Sequence, residues 1–282
     1  MHHLLPEWPA PSFVKSLFTL RGGGVSQPPF DSLNLGDHVG DMAQAVQANR
    51  HRLHMQVQKL SPGAGRAVFL QQVHGDAVAH LRADTPDATV ADAALATVPG
   101  VVCTIMVADC LPVLLAHRRL PLVAAAHAGW RGLAGVQGQG VLESTWAAWQ
   151  QAASALEPAG AGDQAALAAD TLVWLGPCIG PQAFEVGEAV HQAFADAPAC
   201  FQPIVGQSGK WLADLPGLAR QRLHAMGLRH IHGNNGSPSW CTHSNPQWYF
   251  SHRRDAVTKG GSGRMAACIW LEDSFASPAL AG

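Results

Sequence analysis

Short, almost wholly apolar runs recur along this chain, and they constrain its fold more than any other feature. Runs of this kind that end at turn-forming or polar residues are typical of strands buried in a sheet. They cover residues 67–72, 101–107, 120–126 and 171–175, with residues 15–19 and 266–271 as further candidates. The sequence therefore predicts a sheet in which several strands are buried.

Helical patterns separate these runs. They cover about residues 141–153, 188–196 and 215–226. The third has clear boundary signals, with Asp214 as its N-cap, Pro216 in its first turn and Gly227 after its end. Because strands alternate with helices, the chain predicts an α/β or α+β fold with a mixed β-sheet.

The overall composition limits the partners of the protein. Hydrophobic residues make up 48% of the 282 residues and charged residues 13%, with a formal net charge of −2. Such a chain is too apolar to be disordered, and it offers no basic surface for duplex nucleic acid. The N-terminus lacks the pattern of a signal peptide, and no apolar run reaches the roughly 18 residues of a membrane span. We therefore expect a cytoplasmic protein that binds neither nucleic acid nor membranes, as a monomer or small homo-oligomer.

Three candidate metal ligands, His74, Cys110 and His127, each follow a predicted strand. Two imidazoles and one thiolate suit zinc, with copper as the competitor. Three protein ligands leave a fourth position open, which is a feature of catalytic zinc sites. Their spacing matches no zinc motif, however, and by itself it favours a buried thiol and ordinary hydrogen-bonded histidines.

Several motifs, taken together, change that interpretation. They are 18–26 (FTLRGGGVS), 32–41 (SLNLGDHVGD), 72–75 (QVHG), 108–110 (ADC), 127–132 (HAGWRG), 176–180 (GPCIG), 184–187 (FEVG) and a block over 241–255. In this order they resemble the motifs of the YfiH-like family, once described as multicopper polyphenol oxidases or laccases. The resemblance extends from about residue 15 to residue 271.

The resemblance implies a single α/β domain of the CNF1/YfiH-like type, with a mixed β-sheet flanked by helices. The domain would cover residues 1–282, with residues 1–14 and 273–282 as tails. Bacterial members are called purine nucleoside phosphorylases, and some are named peptidoglycan editing factors. The implied activities are phosphorolysis of adenosine, inosine and methylthioadenosine to the free base and ribose 1-phosphate, and zinc-dependent deamination of adenosine. The implied partners are thus purine nucleosides and phosphate.

The resemblance also implies that His74, Cys110 and His127 hold the metal ion. Two positions depart from the family pattern. Leu20 occupies a position that is often polar, and residues 259–264 form a longer turn than the usual Thr-Gly-Arg. The longer turn leaves the role of Arg264 open.

Two acidic residues are candidates for moving a proton during deamination. Asp109 adjoins Cys110, and Glu185 lies in the FEVG motif. A carboxylate near the reacting group can act as a general acid or base. Asp109 can equally support a ligand or cap a turn, and Glu185 can equally be a helix N-terminal carboxylate favoured by the helix dipole.

Arginines are the natural ligands of a phosphate, because the guanidinium fork matches phosphate oxygens. The candidates are Arg21, Arg131, Arg253, Arg254 and Arg264. Arg131, which follows Gly-Trp, is also a candidate for the catalytic set. Of Arg253 and Arg254, we expect one to reach the pocket and the other to be structural.

Two other functions remain open. A copper-dependent polyphenol oxidase needs many further histidine ligands in His-x-His pairs, and the sequence contains one such pair, at residues 230–232. A hydrolase that edits cell-wall precursors would use Cys110 as a free thiolate. Whether Cys110 holds a metal separates that hydrolase from the nucleoside enzyme.

Overall fold

The structure is a computed structural model that describes residues 1–158 and 162–272, so the tail predicted over 273–282 lies outside the described residues. Its strands are β1 (His3–Leu4), β2 (Val14–Thr19), β3 (Arg66–Phe69), β4 (Val78–His80), β5 (Ala93–Ala96), β6 (Val101–Val107), β7 (Leu111–His117), β8 (Val123–Ala128), β9 (Thr171–Leu175), β10 (Glu185–Gly187), β11 (Phe201–Pro203), β12 (Lys210–Ala213), β13 (His230–Gly233) and β14 (Met265–Leu271). Its helices are α1 (Ala43–Leu60), α2 (Trp130–Ala134), α3 (Val141–Leu156), α4 (Gln164–Ala169), α5 (Glu188–Ala193), α6 (Leu215–Ala225) and α7 (His252–Lys259).

Two large mixed sheets form the centre of the fold. One has the strand order β1-β2-β14-β6-β3, and the other has the order β13-β9-β7-β8-β5-β4. Most neighbours are antiparallel, but β3 pairs parallel with β6, β4 with β5, and β13 with β9. A small third sheet, β10-β12-β11, is separate from both. The predicted α/β fold with mixed sheets and flanking helices is confirmed, with two large sheets in place of one.

The two large sheets pack face to face, and helices cover their outer faces. In β6, Cys103 and Ile105 point toward β7 and β8 of the other sheet, whereas Val102 and Met106 point toward α1. This alternation is the two-residue period of a strand that is buried on both faces. On the far side of the second sheet, α3 and α6 complete another buried cluster. The chain therefore has four layers, helix–sheet–sheet–helix.

The predicted strands mostly agree with the observed ones, with two differences in segments that lead to the candidate ligands. The run predicted over 67–72 is a strand only over Arg66–Phe69. Strands β6 and β9 have the predicted bounds, and β2 and β14 are one residue longer. The run predicted over 120–126 begins later and continues through His127 to Ala128. His127 is therefore within β8, not after it, because the alanine-rich run still pairs with β7 at that point.

Several elements have no counterpart in the sequence prediction. The longest is α1, which buries only Val46, Asn49, Leu53 and Val57 and is otherwise polar. Strand β7 begins with Leu111 and Pro112. A proline argues against a strand in a sequence, but here it lies at the second position, close to the strand's beginning. The segment 1–14, predicted as a tail, contributes β1, which pairs antiparallel with β2.

Helix α6 begins and ends as its boundary signals predict. The Asp214 carboxylate accepts a hydrogen bond from the amide of Gly217 at 2.9 Å, and Gly227 follows the helix with a φ of 86°. No helix in the described part of the chain combines the length and the apolar character that crossing a bilayer requires.

The contact between α3 and β9 provides a test of the packing. Trp149 is fully buried, and its indole N–H donates to Thr171 Oγ1 at 3.1 Å. We expect Trp149→Ala to lower the free energy of unfolding by about 3–5 kcal/mol, because it leaves a cavity and removes the hydrogen bond that Thr171 Oγ1 accepts. Urea unfolding followed by circular dichroism measures the change. Trp248→Ala is the control, since that ring is 49% exposed and its loss should change stability by less than about 0.5 kcal/mol. Equal losses in the two variants would contradict the described packing.

Candidate metal centre

The three candidate ligands lie close together where the chain crosses from one large sheet to the other. His74 lies in the loop after β3, Cys110 lies in the turn from β6 to β7, and His127 lies in β8. Strands β6 and β7 belong to different sheets, so the turn at 108–110 crosses from one sheet to the other. Strand β8 pairs with β7 so that His127 is opposite Pro112, two residues beyond Cys110. Strand pairing thus brings His127 beside Cys110.

The distances between these groups suit a tetrahedral ion. One ligand atom from each of the three residues lies within 4.8 Å of the others, and Cys110 Sγ is 3.7 Å from His74 Nε2. Bonds of about 2.3 Å to sulfur and about 2.0–2.1 Å to nitrogen place those two atoms about 3.6 Å apart in a tetrahedron. Within residues 1–158 and 162–272, no other group of three potential ligands is this close. The donor set and its spacing fit zinc, and the same donors accept copper.

The centre is open on one side. His127 is buried, Cys110 is half-buried and His74 is exposed. A site closed by a fourth protein ligand would be structural, whereas a site with an open face can admit a substrate. This asymmetry favours a reactive centre.

Burial and charge act against each other on the two inner ligands. Burial raises the pKa of the Cys110 thiol, but the His127 and His74 rings outweigh it and lower that pKa to about 6. Burial lowers the pKa of His127, but Cys110 and the carboxylate of Asp92 raise it to about 9. Both shifts favour a thiolate beside an imidazolium, and ion binding would displace the proton of the ring.

Glycines in the HAGWRG motif allow the close approach of the ligand segments. A Cβ on Gly129 would lie 2.8 Å from His74 Cδ2 and 2.9 Å from Cys110 Sγ. A Cβ on Gly132 would lie 2.8 Å from the carbonyl oxygen of Gly75. Any side chain at these positions would push the His74 loop away from Cys110. The motif therefore supplies both a ligand and the space beside it.

A buried carboxylate that the sequence analysis did not single out lies behind the ligands. Asp92 has no exposed surface, and its Oδ1 is 2.8 Å from His127 Nδ1. It is the one acidic residue in the otherwise apolar stretch 90–96, directly before β5. That isolation is the one signal by which the sequence could have indicated it.

Asp109, predicted as a proton carrier or a supporting group, is engaged by the C-terminal segment. Its carboxylate accepts hydrogen bonds from Thr242 Oγ1 at 2.6 Å, Ser251 Oγ at 3.0 Å and the amide of Arg253 at 2.7 Å. Its backbone is left-handed, with a φ of 84°. The contacts are those of a group that anchors the start of α7 and supports the turn that carries Cys110.

Glu185 and two of the candidate arginines lie near the surface. Glu185 forms an ion pair with Lys210 at 3.0 Å, between β10 and β12. Arg253 is exposed and donates to the carbonyl oxygen of Glu185 at 2.9 Å. Arg131 is exposed on α2, and its guanidinium lies 4.6 Å from the ring centre of Trp130. Arg131 forms no ion pair in the part of the chain that the structure describes.

Two other candidate arginines are engaged in holding loops together. Arg21 donates to the carbonyl oxygens of Asp31 and Pro246 and to the Asp31 carboxylate. Arg254 donates to the carbonyl oxygens of Thr242, His243 and Tyr249 and to both oxygens of Asp255. These bonds occupy most of each guanidinium fork. Of the pair expected to divide between pocket and structure, Arg254 has the structural contacts.

Arg264 differs from the other candidate arginines in its electrostatic surroundings. It is half-buried, and its Nη1 donates to the carbonyl oxygens of Ser262 and Gly263. Burial lowers the pKa of its guanidinium, while the negative charges of Cys110 and Asp109 act in the opposite direction. Among the described residues, no carboxylate is within ion-pair distance of it. A partly buried cation without an acidic partner, close to the candidate ligands, is suited to receive an anion.

Comparison with known proteins supports the family assignment. The family described as "Multi-copper polyphenol oxidoreductase laccase" matches residues 15–272. The chain is 45% identical over 275 residues to "Purine nucleoside phosphorylase PA4543" of Pseudomonas aeruginosa, covering 96% of this chain and 98% of that protein. It is 43% identical over 272 residues to "Purine nucleoside phosphorylase YfiH" of Escherichia coli, covering 95% and 98%.

Solved structures show the same fold. The Neisseria meningitidis protein NMB0706 superimposes with a TM-score of 0.78 at 40% identity, covering 96% of this chain and 100% of that one. YlmD from Geobacillus stearothermophilus superimposes with a TM-score of 0.81 at 29% identity, covering 96% and 97%. With the match over residues 15–272 and these chain-long similarities, the chain belongs to the YfiH family of laccase-like proteins.

Proposed function

We propose that this protein is a purine nucleoside phosphorylase whose reaction takes place at the centre formed by His74, Cys110 and His127. The observation that carries the proposal is a cluster of two histidines and one cysteine with an open face, beside a half-buried arginine that has no acidic partner among the described residues. The name of the Pseudomonas aeruginosa relative, 45% identical over nearly the whole chain, supports the same activity. The substrates we assign are adenosine, inosine and methylthioadenosine, together with phosphate.

In phosphorolysis a phosphate oxygen bonds to C1′ of the ribose while the bond from C1′ to N9 breaks. The base takes up a proton as it leaves, and the sugar product is ribose 1-phosphate, or its methylthio derivative from methylthioadenosine. The protein must therefore hold an anion and a nucleoside together and exclude competing water. His74, Cys110 and His127 would hold a zinc ion, which would supply Lewis acidity when bound.

We assign the phosphate to Arg264 rather than to the other candidate arginines. Arg21 donates its hydrogen bonds to backbone carbonyl oxygens and to Asp31, and Arg254 donates its own to carbonyl oxygens and to Asp255. Arg264 uses its Nη1 on two carbonyl oxygens, which leaves Nη2 and Nε for a ligand. Arg131 and Arg253, both exposed, are second candidates at the rim. The guanidinium fork can engage two phosphate oxygens at once.

We further propose that the centre deaminates adenosine. Water adds at C6 of the purine, ammonia leaves, and inosine is the product. Glu185 and Asp109 remain the acidic candidates for proton transfer. The donors that surround Asp109 favour a supporting role for it, and Glu185 would have to leave its ion pair with Lys210.

A hydrolase mechanism is the second candidate, and one specific contact favours it. Asp92 engages His127 Nδ1 at 2.8 Å, so His127 Nε2 faces Cys110, as in a thiol hydrolase with a Cys-His-Asp triad. That mechanism requires Cys110 to be free of metal. A copper-dependent phenol oxidase is less well supported, because the His-x-His pair 230–232 lies on β13, at the edge of its sheet and away from the ligands.

Metal content separates these functions. Purified protein is expected to hold about one zinc per chain, and Cys110→Ala is expected to lose both the zinc and the nucleoside activity. Inductively coupled plasma mass spectrometry measures zinc and copper in the same sample. Cys200→Ser is the control, because Cys200 is half-buried and outside the ligand cluster, and it should retain the metal. Full zinc occupancy in Cys110→Ala would contradict the proposed centre, and copper in place of zinc would support an oxidase.

Products of adenosine separate the two proposed reactions. With phosphate present, chromatography is expected to show adenine from direct phosphorolysis of adenosine. Hypoxanthine should also appear, because deamination first gives inosine, which is then phosphorolysed. Without phosphate, only inosine should form, because breaking the C1′–N9 bond needs the phosphate nucleophile. Free base formed at an equal rate without phosphate would identify a nucleoside hydrolase instead.

The phosphate assignment predicts a selective effect on KM. Arg264→Gln should raise the KM for phosphate about 10- to 100-fold, since losing charged hydrogen bonds worth about 1.5–3 kcal/mol weakens binding by that factor. Steady-state rates measured with inosine at a series of phosphate concentrations give this KM. Arg119→Gln is the matched control, because its exposed guanidinium pairs with Asp170 at the far end of β7. A rise in KM for the nucleoside but not for phosphate would move the phosphate to another arginine.

A further inference from the structure

One carboxylate gathers hydrogen bonds from both histidine segments of the centre. Asp92 Oδ2 accepts from the amides of Val73 at 3.0 Å and Gly75 at 2.8 Å. Its Oδ1 accepts from the amide of His74 at 2.9 Å and is 2.8 Å from His127 Nδ1. Four donors thus converge on a side chain that has no exposed surface.

The three amide bonds shape the loop that carries His74. Three successive N–H groups, from Val73 to Gly75, can point at one carboxylate only if the backbone between them turns sharply. His74 accordingly has a φ of 60°, in the left-handed region that costs a residue with a side chain about 1–2 kcal/mol. The bonds to Asp92 offset that cost. They fix the backbone from which the exposed His74 ring projects toward Cys110.

The fourth bond orients the other histidine. Because His127 Nδ1 is engaged by Asp92, its Nε2 is the nitrogen that faces Cys110 and an ion. The peptide group also takes part, since the amide of His127 donates to the carbonyl oxygen of Asp92 at 2.8 Å. Asp92 therefore anchors the backbone and the ring of His127 together.

In the part of the chain that the structure describes, Asp92 has no cationic partner apart from this ring. Among the described residues, neither a lysine nor an arginine lies within ion-pair distance of it. Burial raises the pKa of its carboxyl, but the hydrogen bonds from His127, Gly75 and Val73 outweigh burial and lower it. An arginine partner would tie the carboxylate to the scaffold. The imidazole and the three amides leave its charge facing the ligands instead.

We propose that Asp92 is the positioning residue of the metal centre, setting both histidine ligands and hence the affinity and coordination geometry of the ion. The inference rests on the metal centre of the proposed function. It assigns to one buried side chain two tasks, the backbone turn at His74 and the ring orientation of His127. Removing it would leave all three candidate ligands in the chain, but their side chains would no longer be held in the positions that an ion requires.

Cobalt binding tests this role without reference to catalysis. The metal-free wild-type protein is titrated with Co²⁺ against a chelator, and the visible and near-ultraviolet absorption of the complex reports affinity and geometry. Asp92→Asn keeps the side-chain volume but replaces one acceptor with a donor, and it should weaken Co²⁺ binding about 10- to 100-fold. The bands of a tetrahedral thiolate complex should lose intensity or shift in this variant. A wild-type spectrum and affinity would overturn the inference.

Asp255→Asn is the matched control, since Asp255 is also fully buried and bonds to Arg254 and the amide of Ser251, not to a ligand. It should lose stability yet bind Co²⁺ with the wild-type affinity and spectrum. An equal loss of affinity in both variants would mean that general destabilisation, not positioning, governs the ion. If wild-type protein binds no Co²⁺, the metal centre of the proposed function fails and the inference with it.

Hydrogen exchange on the metal-free wild type provides a second measurement that does not depend on a variant folding. The amides of Val73, His74 and Gly75 lie in a loop with largely exposed side chains, yet each is bonded to Asp92. They should exchange as slowly as amides of a paired strand, at least about 100-fold slower than an open loop. Exchange at the rate of an open loop would overturn the inference even if Asp92→Asn does not fold.

Discussion

The architecture of the centre depends on one crossing, the turn at 108–110 that carries the chain from the five-stranded sheet to the six-stranded sheet. Strand β6 ends on one sheet and β7 begins on the other, so Cys110 emerges at the seam between them. Asp109 takes a left-handed backbone there, and its carbonyl oxygen accepts the amide of Ile179 at 2.9 Å. Because the seam is bounded by packed sheets, the thiol can be held close to two imidazoles and still border solvent.

Local sequence was sufficient to predict the elements whose residue types show directly whether they are buried or where they begin. The all-apolar runs of β6 and β9 predict buried strands with the observed bounds, and Asp214 caps α6 as expected. Helix α1 escaped prediction because it covers one sheet with only four buried side chains, and its other faces are polar. The extension of β8 through His127 escaped because strand ends are decided by pairing with β7, which a single run does not reveal.

The candidate site was predictable only where a motif carries the chemistry. The three candidate ligands were named from their motifs, and the structure brings those side chains together. The roles of the arginines were not predictable, because their partners are far away in the sequence. Arg21, for example, donates to Pro246, 225 positions along the chain. Arg264 stands apart because it is half-buried and yet, among the described residues, has no carboxylate within ion-pair distance, and no local pattern can show that.

Two buried aspartates flank the ligands and look alike in sequence, but their donors give them different tasks. Asp92 collects its bonds from the segments of His74 and His127, so its loss would displace ligands directly. Asp109 collects its bonds from Thr242, Ser251 and Arg253, more than a hundred residues away. Its loss would release the start of α7 and the C-terminal segment that leads from it to Arg264. The segments that carry His74 and His127 and the C-terminal segment are therefore held by separate carboxylates, and each carboxylate can be changed without removing a candidate ligand.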